Sequence, residues 1–218
     1  MKVLSKELLF PKVEEANPDG LLAIGGDLST ERLLLAYRSG IFPWYEANQP
    51  ILWWSPNPRM VLFLEDVTIS KSLKKVIRKQ EFTVTFNKNF DAVIEQCACV
   101  KRAGQQGTWI TKEMICAYQK LHKLGHALSF EVWRDIVLVG GGYGIDLPEQ
   151  KVFCGESMFS LESNASKVGF ESLINRCAGE NYQIIDCQVY TSHLERFGAK
   201  EISRSSFMEL LTQSHSAY

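Results

Sequence analysis

The residues best suited to chemistry lie in two short stretches, Ile185-Asp-Cys-Gln188 and Phe153-Cys-Gly-Glu-Ser-Met-Phe-Ser160. In the first, strand alternation sets Ile185, Cys187 and Val189 on one face and Ile184, Asp186 and Gln188 on the other, so Asp186 and Gln188 are expected to be neighbours. A carboxylate beside a carboxamide in an apolar strand is costly unless both find partners. The pair is therefore either a site or the wet face of an edge strand. In the second stretch, Glu156 and Ser157 are expected in a turn at a strand end, with Gly155 freeing the backbone. Glu156 then either binds a cationic or amine group or points to water. There is no Gly-x-Ser-x-Gly and no Cys/His pair, which argues against an acyl-enzyme.

Flat rings gather at Trp44, Tyr45, Trp53 and Trp54, and Trp109 precedes a helix. Such rings either fill a core or stack on a base. Gly140-Gly-Gly-Tyr-Gly144 matches no phosphate-loop pattern and is expected to be a strand with bulges or close backbone approach. His122 and His126 are four apart, but Gly125 should end the helix between them, so no zinc site is expected. Cys97-Ala-Cys99, without a second cluster, is a weak metal signal. Lys71, Lys74, Lys75, Arg78 and Lys79 share one acid-free stretch, either a solvated helix face or a phosphate-binding patch.

Elements must position these groups. A helix is expected from an N-cap at Ser29 or Thr30 to Gly40, a suitable C′ residue, inside an otherwise irregular, aromatic-rich unit. From Val61 onward, strands alternate with amphipathic helices. The expected order is a basic helix near 70–79, strand 82–86, a helix near 90–99 and a polar loop over 101–107. A helix over 112–124 capped by Thr111 follows, then a hairpin turning at Arg134-Asp135. Short strands 141–145 and 152–155, a helix from Ala165 capped by Asn164, strand 183–189, and helices near 192–197 and 205–213 complete the chain. The fold class is α+β: a small domain over 1–61 and a larger one over 62–218.

The chain has 218 residues, 45% hydrophobic, enough for a substantial core. A net charge of -1 shows no basic excess, so any nucleic-acid contact must be local. The six scattered cysteines suit reduced, buried thiols, and no apolar run suggests a membrane span or secretory signal, so a cytoplasmic location is expected.

Asn17-Pro-Asp-Gly-Leu-Leu-Ala-Ile-Gly-Gly-Asp-Leu28, Gly40-Ile-Phe-Pro-Trp44, Trp53-Trp-Ser-Pro56, Gly107-Thr-Trp-Ile-Thr111, the stretch from Phe153 to Ser160, Asn164-Ala-Ser-Lys167 and Ile185-Asp-Cys-Gln188 resemble bacterial leucyl/phenylalanyl-tRNA–protein transferases, in order along nearly the whole chain. The resemblance implies a larger domain with an acetyltransferase-like (GNAT-type) mixed sheet, and no cofactor or metal. The implied reaction moves Leu, less readily Phe or Met, from aminoacyl-tRNA to the α-amine of proteins with N-terminal Arg or Lys, marking them for N-degron degradation. A monomer acting on these two partners, without a membrane, is expected.

By the resemblance, Trp44 and Trp109 hold the terminal adenosine, while Phe153, Met158, Leu173 and Ile185 line the side-chain pocket. Glu156 and Gln188 orient the aminoacyl group beside Asp186, which either relays a proton through Gln188 or only orients it. Lys71, Lys74, Lys75 and Arg78 would meet tRNA phosphates. Gly142 and Leu173 stand where the family often has Met and Phe, so a roomier pocket is expected. A coenzyme-A-dependent acetyltransferase would need a Gln/Arg-x-x-Gly-x-Gly/Ala loop, which is not found; an RNA-binding module using the aromatics and lysines is the non-enzymatic alternative.

Overall fold

A computed structural model describes residues 2–100 and 109–213, so the polar loop expected over 101–107 lies outside the described residues. The N-terminal part holds β1 (Lys2–Leu4), β2 (Leu21–Gly25), α1 (Thr30–Arg38), β3 (Phe42–Pro43) and β4 (Leu52–Trp54), with the strands in the order β1-β2-β4-β3. The expected irregular edges are thus a small sheet, hidden in the sequence because strands of two to five residues carry too little alternation to read. Helix α1 starts as its cap requires, the Ser29 side chain accepting from the Arg32 N–H at 3.4 Å. It ends before Gly40, whose φ of 70° is in the left-handed region. The buried Arg32 donates to the Ser5 and Glu7 carbonyls at 3.0 and 3.1 Å, fastening the N-terminal segment onto α1.

The remaining elements are β5 (Arg59–Phe63), α2 (Lys71–Arg78), β6 (Thr83–Phe86), α3 (Phe90–Cys99), α4 (Lys112–Lys123), β7 (Ala127–Arg134), β8 (Val137–Leu147), β9 (Val152–Ser160), α5 (Ala165–Gly179), β10 (Ile184–Gln188), α6 (Ser192–Glu195), β11 (Lys200–Ile202) and α7 (Arg204–Gln213). The large sheet runs β11-β5-β10-β9-β8-β7-β6. Its one parallel pair, β9 with β10, is joined by the crossover helix α5, and the other pairs are antiparallel. A mixed sheet of this kind beside a small N-terminal unit is the α+β architecture expected.

Several expectations need correction. The β7–β8 hairpin turns at Asp135-Ile136, because Arg134 pairs with Val137 and Asp135 takes the left-handed φ of 53°. Strand β8 is continuous through the glycines, which admit close neighbours: a Cβ on Gly144 would lie 2.2 Å from the Cys154 carbonyl oxygen. Glu156 and Ser157 sit within β9, not in a turn after it. Asn164 stands at the α5 N-cap position with φ 68°, yet its side chain caps no amide and instead accepts from Lys167 Nζ at 3.3 Å.

The sheet separates two cores. On one face Phe90, Val93 and Ile94 of α3, and Met114, Tyr118 and Leu121 of α4, pack with Tyr143 and Phe159. The same core continues into Leu22, Leu33, Tyr37 and Trp53 of the small unit and Phe207 and Leu211 of α7. On the other face α5 supplies Val168, Phe170, Leu173 and Ile174 against Phe130, Phe153 and Ile185. Strand β5 itself runs across residue 61.

Candidate active site

A cavity of about 620 Å³ opens where the end of the parallel pair meets the small unit. Phe130, Phe153, Met158, Phe170, Leu173 and Ile185 form one wall, Trp44, Val100 and Trp109 flank it, and Glu156, Asp186 and Gln188 line it too. Trp44 is 39% exposed and its ring tilts against Trp54 at 5.8 Å, held because Trp54 Nε1 donates to the Trp44 carbonyl at 2.6 Å. The structure thus brings together Trp44, Trp109, Phe153, Met158, Leu173 and Ile185 around the three polar candidates. Gly142 does not widen the cavity as expected. The space a side chain there would need is filled by Met158 and Phe130, each with an atom 2.7 Å from an added Cβ.

Two β-bulges aim the polar groups. In the β8–β9 ladder Tyr143 pairs with Ser157 and Gly144 with Gly155, leaving Glu156 as the extra residue. In the β10–β5 ladder Asp186 pairs with Val61 and Gln188 with Met60, leaving Cys187 extra. A bulge breaks alternation and redirects side chains. Asp186 and Gln188 are therefore not simple same-face neighbours: Gln188 has a left-handed φ of 57° and is tied back by its N–H to Asp186 Oδ1 at 3.0 Å. Its Nε2 reaches across to Glu156 Oε1 at 3.4 Å.

Asp186 is sealed, with 0% exposure, and is charge-paired with the buried Arg59. Arg59 Nε donates to Oδ1 at 2.8 Å and Nη2 to Oδ2 at 2.6 Å, while Nη1 donates to the Gly40 carbonyl at 3.1 Å. The guanidinium lies between the rings of Phe42 and Phe207, at 4.9 and 4.5 Å. The small unit, β5 and α7 thus all fix the carboxylate that holds Gln188.

Glu156 differs. It faces the cavity and is only partly covered, and Tyr118 of α4 donates to Oε2 at 3.1 Å. Tyr37 of α1 shares a short hydrogen bond with the Tyr118 hydroxyl behind it. Enclosure by protein pushes the Glu156 carboxyl up; the Tyr37 and Tyr118 hydroxyls pull it down, the Asp186 charge raises it and Arg59 lowers it, leaving it at about 7. Cys187 turns away from Asp186 into the apolar wall with Ile185, yet lines the same cavity. Burial pushes its thiol up, so it is no thiolate nucleophile.

The basic patch is a helix as expected. Ser70 caps α2, and Lys71, Lys74, Lys75 and Arg78 are exposed. Among the described residues no ion pair engages these four, whereas Lys79 meets Glu81 at 3.3 Å. Helix α2 packs on α5, outside the cavity. Among the described residues no cluster of His, Cys, Asp or Glu could hold a metal, and no helix is long and apolar enough to cross a membrane. His122 instead stacks on Phe90 at 4.2 Å, its Nδ1 2.8 Å from the Ala127 carbonyl oxygen.

Sequence reading missed Arg59, Tyr37, Tyr118, Phe130 and Phe170. Arg59 opens an apolar strand that had no other charge until Glu65, and an acid in a second apolar strand was its available partner. The tyrosines sit at helix positions that also fit plain core residues, so nothing local distinguished them.

Comparison with known proteins agrees along nearly the whole chain. The family described as leucyl/phenylalanyl-tRNA protein transferase matches residues 61–212, and its N-terminal domain matches residues 26–57. The leucyl/phenylalanyl-tRNA–protein transferase of Flavobacterium johnsoniae is 59% identical over 97% of this chain and 99% of its own length. That of Flavobacterium psychrophilum is 56% identical over the same shares, and that of Syntrophus aciditrophicus 54% identical over 97% of this chain and 87% of its own. Among solved structures, L-PGS from Bacillus licheniformis is similar at 13% identity and a TM-score of 0.43, over 80% of this chain and 57% of that one.

Proposed function

The chain belongs to the leucyl/phenylalanyl-tRNA–protein transferase family and is an aminoacyltransferase; on that premise we propose that it moves leucine, less readily phenylalanine or methionine, from charged tRNA to the α-amine of proteins beginning with arginine or lysine. Such tagging marks the acceptor for degradation, in the cytoplasm, by a monomer in two domains that divide near residue 61. The observation that carries this reading is the make-up of the cavity: carbon on one wall, tryptophans at its flank, and a carboxylate and carboxamide between them.

An aminoacyl ester is already activated, so the protein must orient the two reactants and manage a proton. Trp44 and Trp109 offer faces for the terminal adenine. Phe153, Met158, Leu173 and Ile185 receive the transferred side chain by shape, which separates neighbouring aliphatic side chains by about 1 to 3 kcal/mol per methylene. Gln188 and Glu156 orient the aminoacyl group. Asp186, with both oxygens engaged by Arg59 and one also by the Gln188 N–H, positions Gln188. Lys71, Lys74, Lys75 and Arg78 face solvent, free to meet tRNA phosphates.

Transfer of labelled leucine from its tRNA to a peptide with N-terminal arginine, but not to one with N-terminal glutamate, is the expected result. No transfer to either would refute the reading. Leu173→Phe should narrow the wall and lower use of Phe-tRNA relative to Leu-tRNA by about 10-fold; an unchanged ratio in competition removes Leu173 from the pocket. Lys74→Ala with Lys75→Ala should flatten the salt dependence of tRNA affinity, and an unaltered slope would make the patch a solvated face.

A further inference from the structure

We propose that Glu156 takes the proton released by the attacking amine and returns it to the departing tRNA oxygen, while the Tyr118 hydroxyl, backed by that of Tyr37, holds its carboxylate in place. The proposal rests on the transfer reaction inferred above and assigns within that site the group that moves the proton.

Geometry separates the two acids. A general base must reach the reacting atoms. Asp186 has no exposed surface, and its oxygens already accept from Arg59 Nε, Arg59 Nη2 and the Gln188 N–H. Glu156 lines the cavity, and its donors are neutral: the Tyr118 hydroxyl at 3.1 Å and, at a long 3.4 Å, the Gln188 amide. Each carboxylate oxygen can accept more than one hydrogen bond, so an incoming amine can still be received. The nearby cation, Arg59, gives three of its N–H groups to Asp186 and the Gly40 carbonyl, and its ion pair is with Asp186, so Glu156 has no ion-pair partner among the described residues.

The groups around Glu156 come from every element packed on it: Tyr37 from α1, Arg59 from β5, Tyr118 from α4, Cys154 from its own strand, and Asp186 and Gln188 from β10. Tyr143 of β8 meets Tyr118 edge-on at 5.7 Å. Burial, and then the charge of Glu156, hold both tyrosines well above the ordinary phenol range, so they act as donors and do not take the proton themselves. The balance of enclosure against these donors leaves Glu156 at about 7, where one group serves as base and then as acid.

The neutral α-amine attacks the ester carbonyl carbon and a C–N bond forms, leaving a positive nitrogen and an oxyanion. The Glu156 carboxylate takes one N–H proton. The oxyanion collapses, the bond from carbon to the tRNA ribose oxygen breaks, and that oxygen takes the proton from Glu156. Peptide, free tRNA hydroxyl and ionised Glu156 result.

The test is the single-turnover rate of leucine transfer to one peptide with N-terminal arginine, across about pH 5.5 to 9. Wild type should rise through a midpoint near 7. Glu156→Gln should fall by about 10²-fold or more and lose that midpoint. Tyr118→Phe, which removes a donor to the carboxylate, should move the midpoint upward by about one unit, with a larger loss at low pH than at high. The peptide's own amine titrates identically with every variant, so a midpoint that moves belongs to the enzyme. Tyr37→Phe should give a smaller shift in the same direction and serves if Tyr118→Phe does not fold. Full rate in Glu156→Gln, or unmoved midpoints in the folded tyrosine variants, overturns the proposal. A wild type that transfers no leucine overturns instead the function on which it rests.

Discussion

Glu131 of β7 and Glu156 of β9 are both enclosed acids on one sheet, separated by β8, and their surroundings are opposite. Glu131 is sealed, and its oxygens accept from Ser129 Oγ and Thr85 Oγ1 at 2.6 Å each and from the Lys88 and Asn89 amides at 3.2 and 3.3 Å. Those donors belong to β6, β7 and the start of α3, so the acid pins the turn between them. Glu156 faces a cavity, and the Gln188 amide that reaches it does so at 3.4 Å. A buried acid whose oxygens are filled by its own fold is structural, whereas one left open to a cavity keeps lone pairs for a ligand.

The contrast predicts a dissociation of stability from activity. Its largest break is Glu131→Ala, which strands two hydroxyls and two amides and should cost about 3 to 5 kcal/mol in denaturant unfolding, with transfer per folded molecule retained. Lost transfer without lost stability would put Glu131 in the site. Glu156→Gln should do the reverse, slowing transfer about 10²-fold, roughly 2.7 kcal/mol of barrier, without destabilising the fold at pH 8.

The sign follows from the direction of the shift. The folded Glu156 carboxyl titrates at about 7, above its ordinary 4.5. Between those values the folded chain keeps a proton that the unfolded chain has lost, so this group's contribution is full below 4.5 and is lost as pH rises through 7. Wild type should therefore lose about 2 kcal/mol relative to Glu156→Gln between pH 4.5 and 8, less than the full shift implies because the carboxylate meets cavity water. Parallel stability curves for the two proteins would remove the buried-acid account.

The same contrast explains what the sequence could reveal. Ser29 and Thr111 announced α1 and α4 because a cap acts over three residues. The family motifs carried Trp44, Trp109, Phe153, Met158, Leu173 and Ile185 to one cavity. Alternation alone did not unite Asp186 with Gln188, since the bulge at Cys187 breaks the period on which that reading rests. Likewise the bulge at Glu156 turned an expected loop into strand. Arg59 lies 127 positions from Asp186, and Tyr37 lies 81 from Tyr118, so no local pattern links them. The small sheet was hidden for a related reason, because β1 to β4 are defined by long-range pairing and are too short to show alternation.

The finest probe of the comparison is Thr85→Val. It keeps the side-chain volume but removes one of the Glu131 donors and the acceptor of Trp133 Nε1, which lies 2.8 Å from Thr85 Oγ1. Because the Lys88 and Asn89 amides and the Ser129 hydroxyl still fill the carboxylate, the loss should be only about 1 to 2 kcal/mol. The pH–rate profile should not move, since neither Glu131 nor any residue that donates to it lines the cavity. A shifted midpoint for transfer in Thr85→Val would mean that the two acids are coupled through β8, and that the division between a sealed acid and an open one fails.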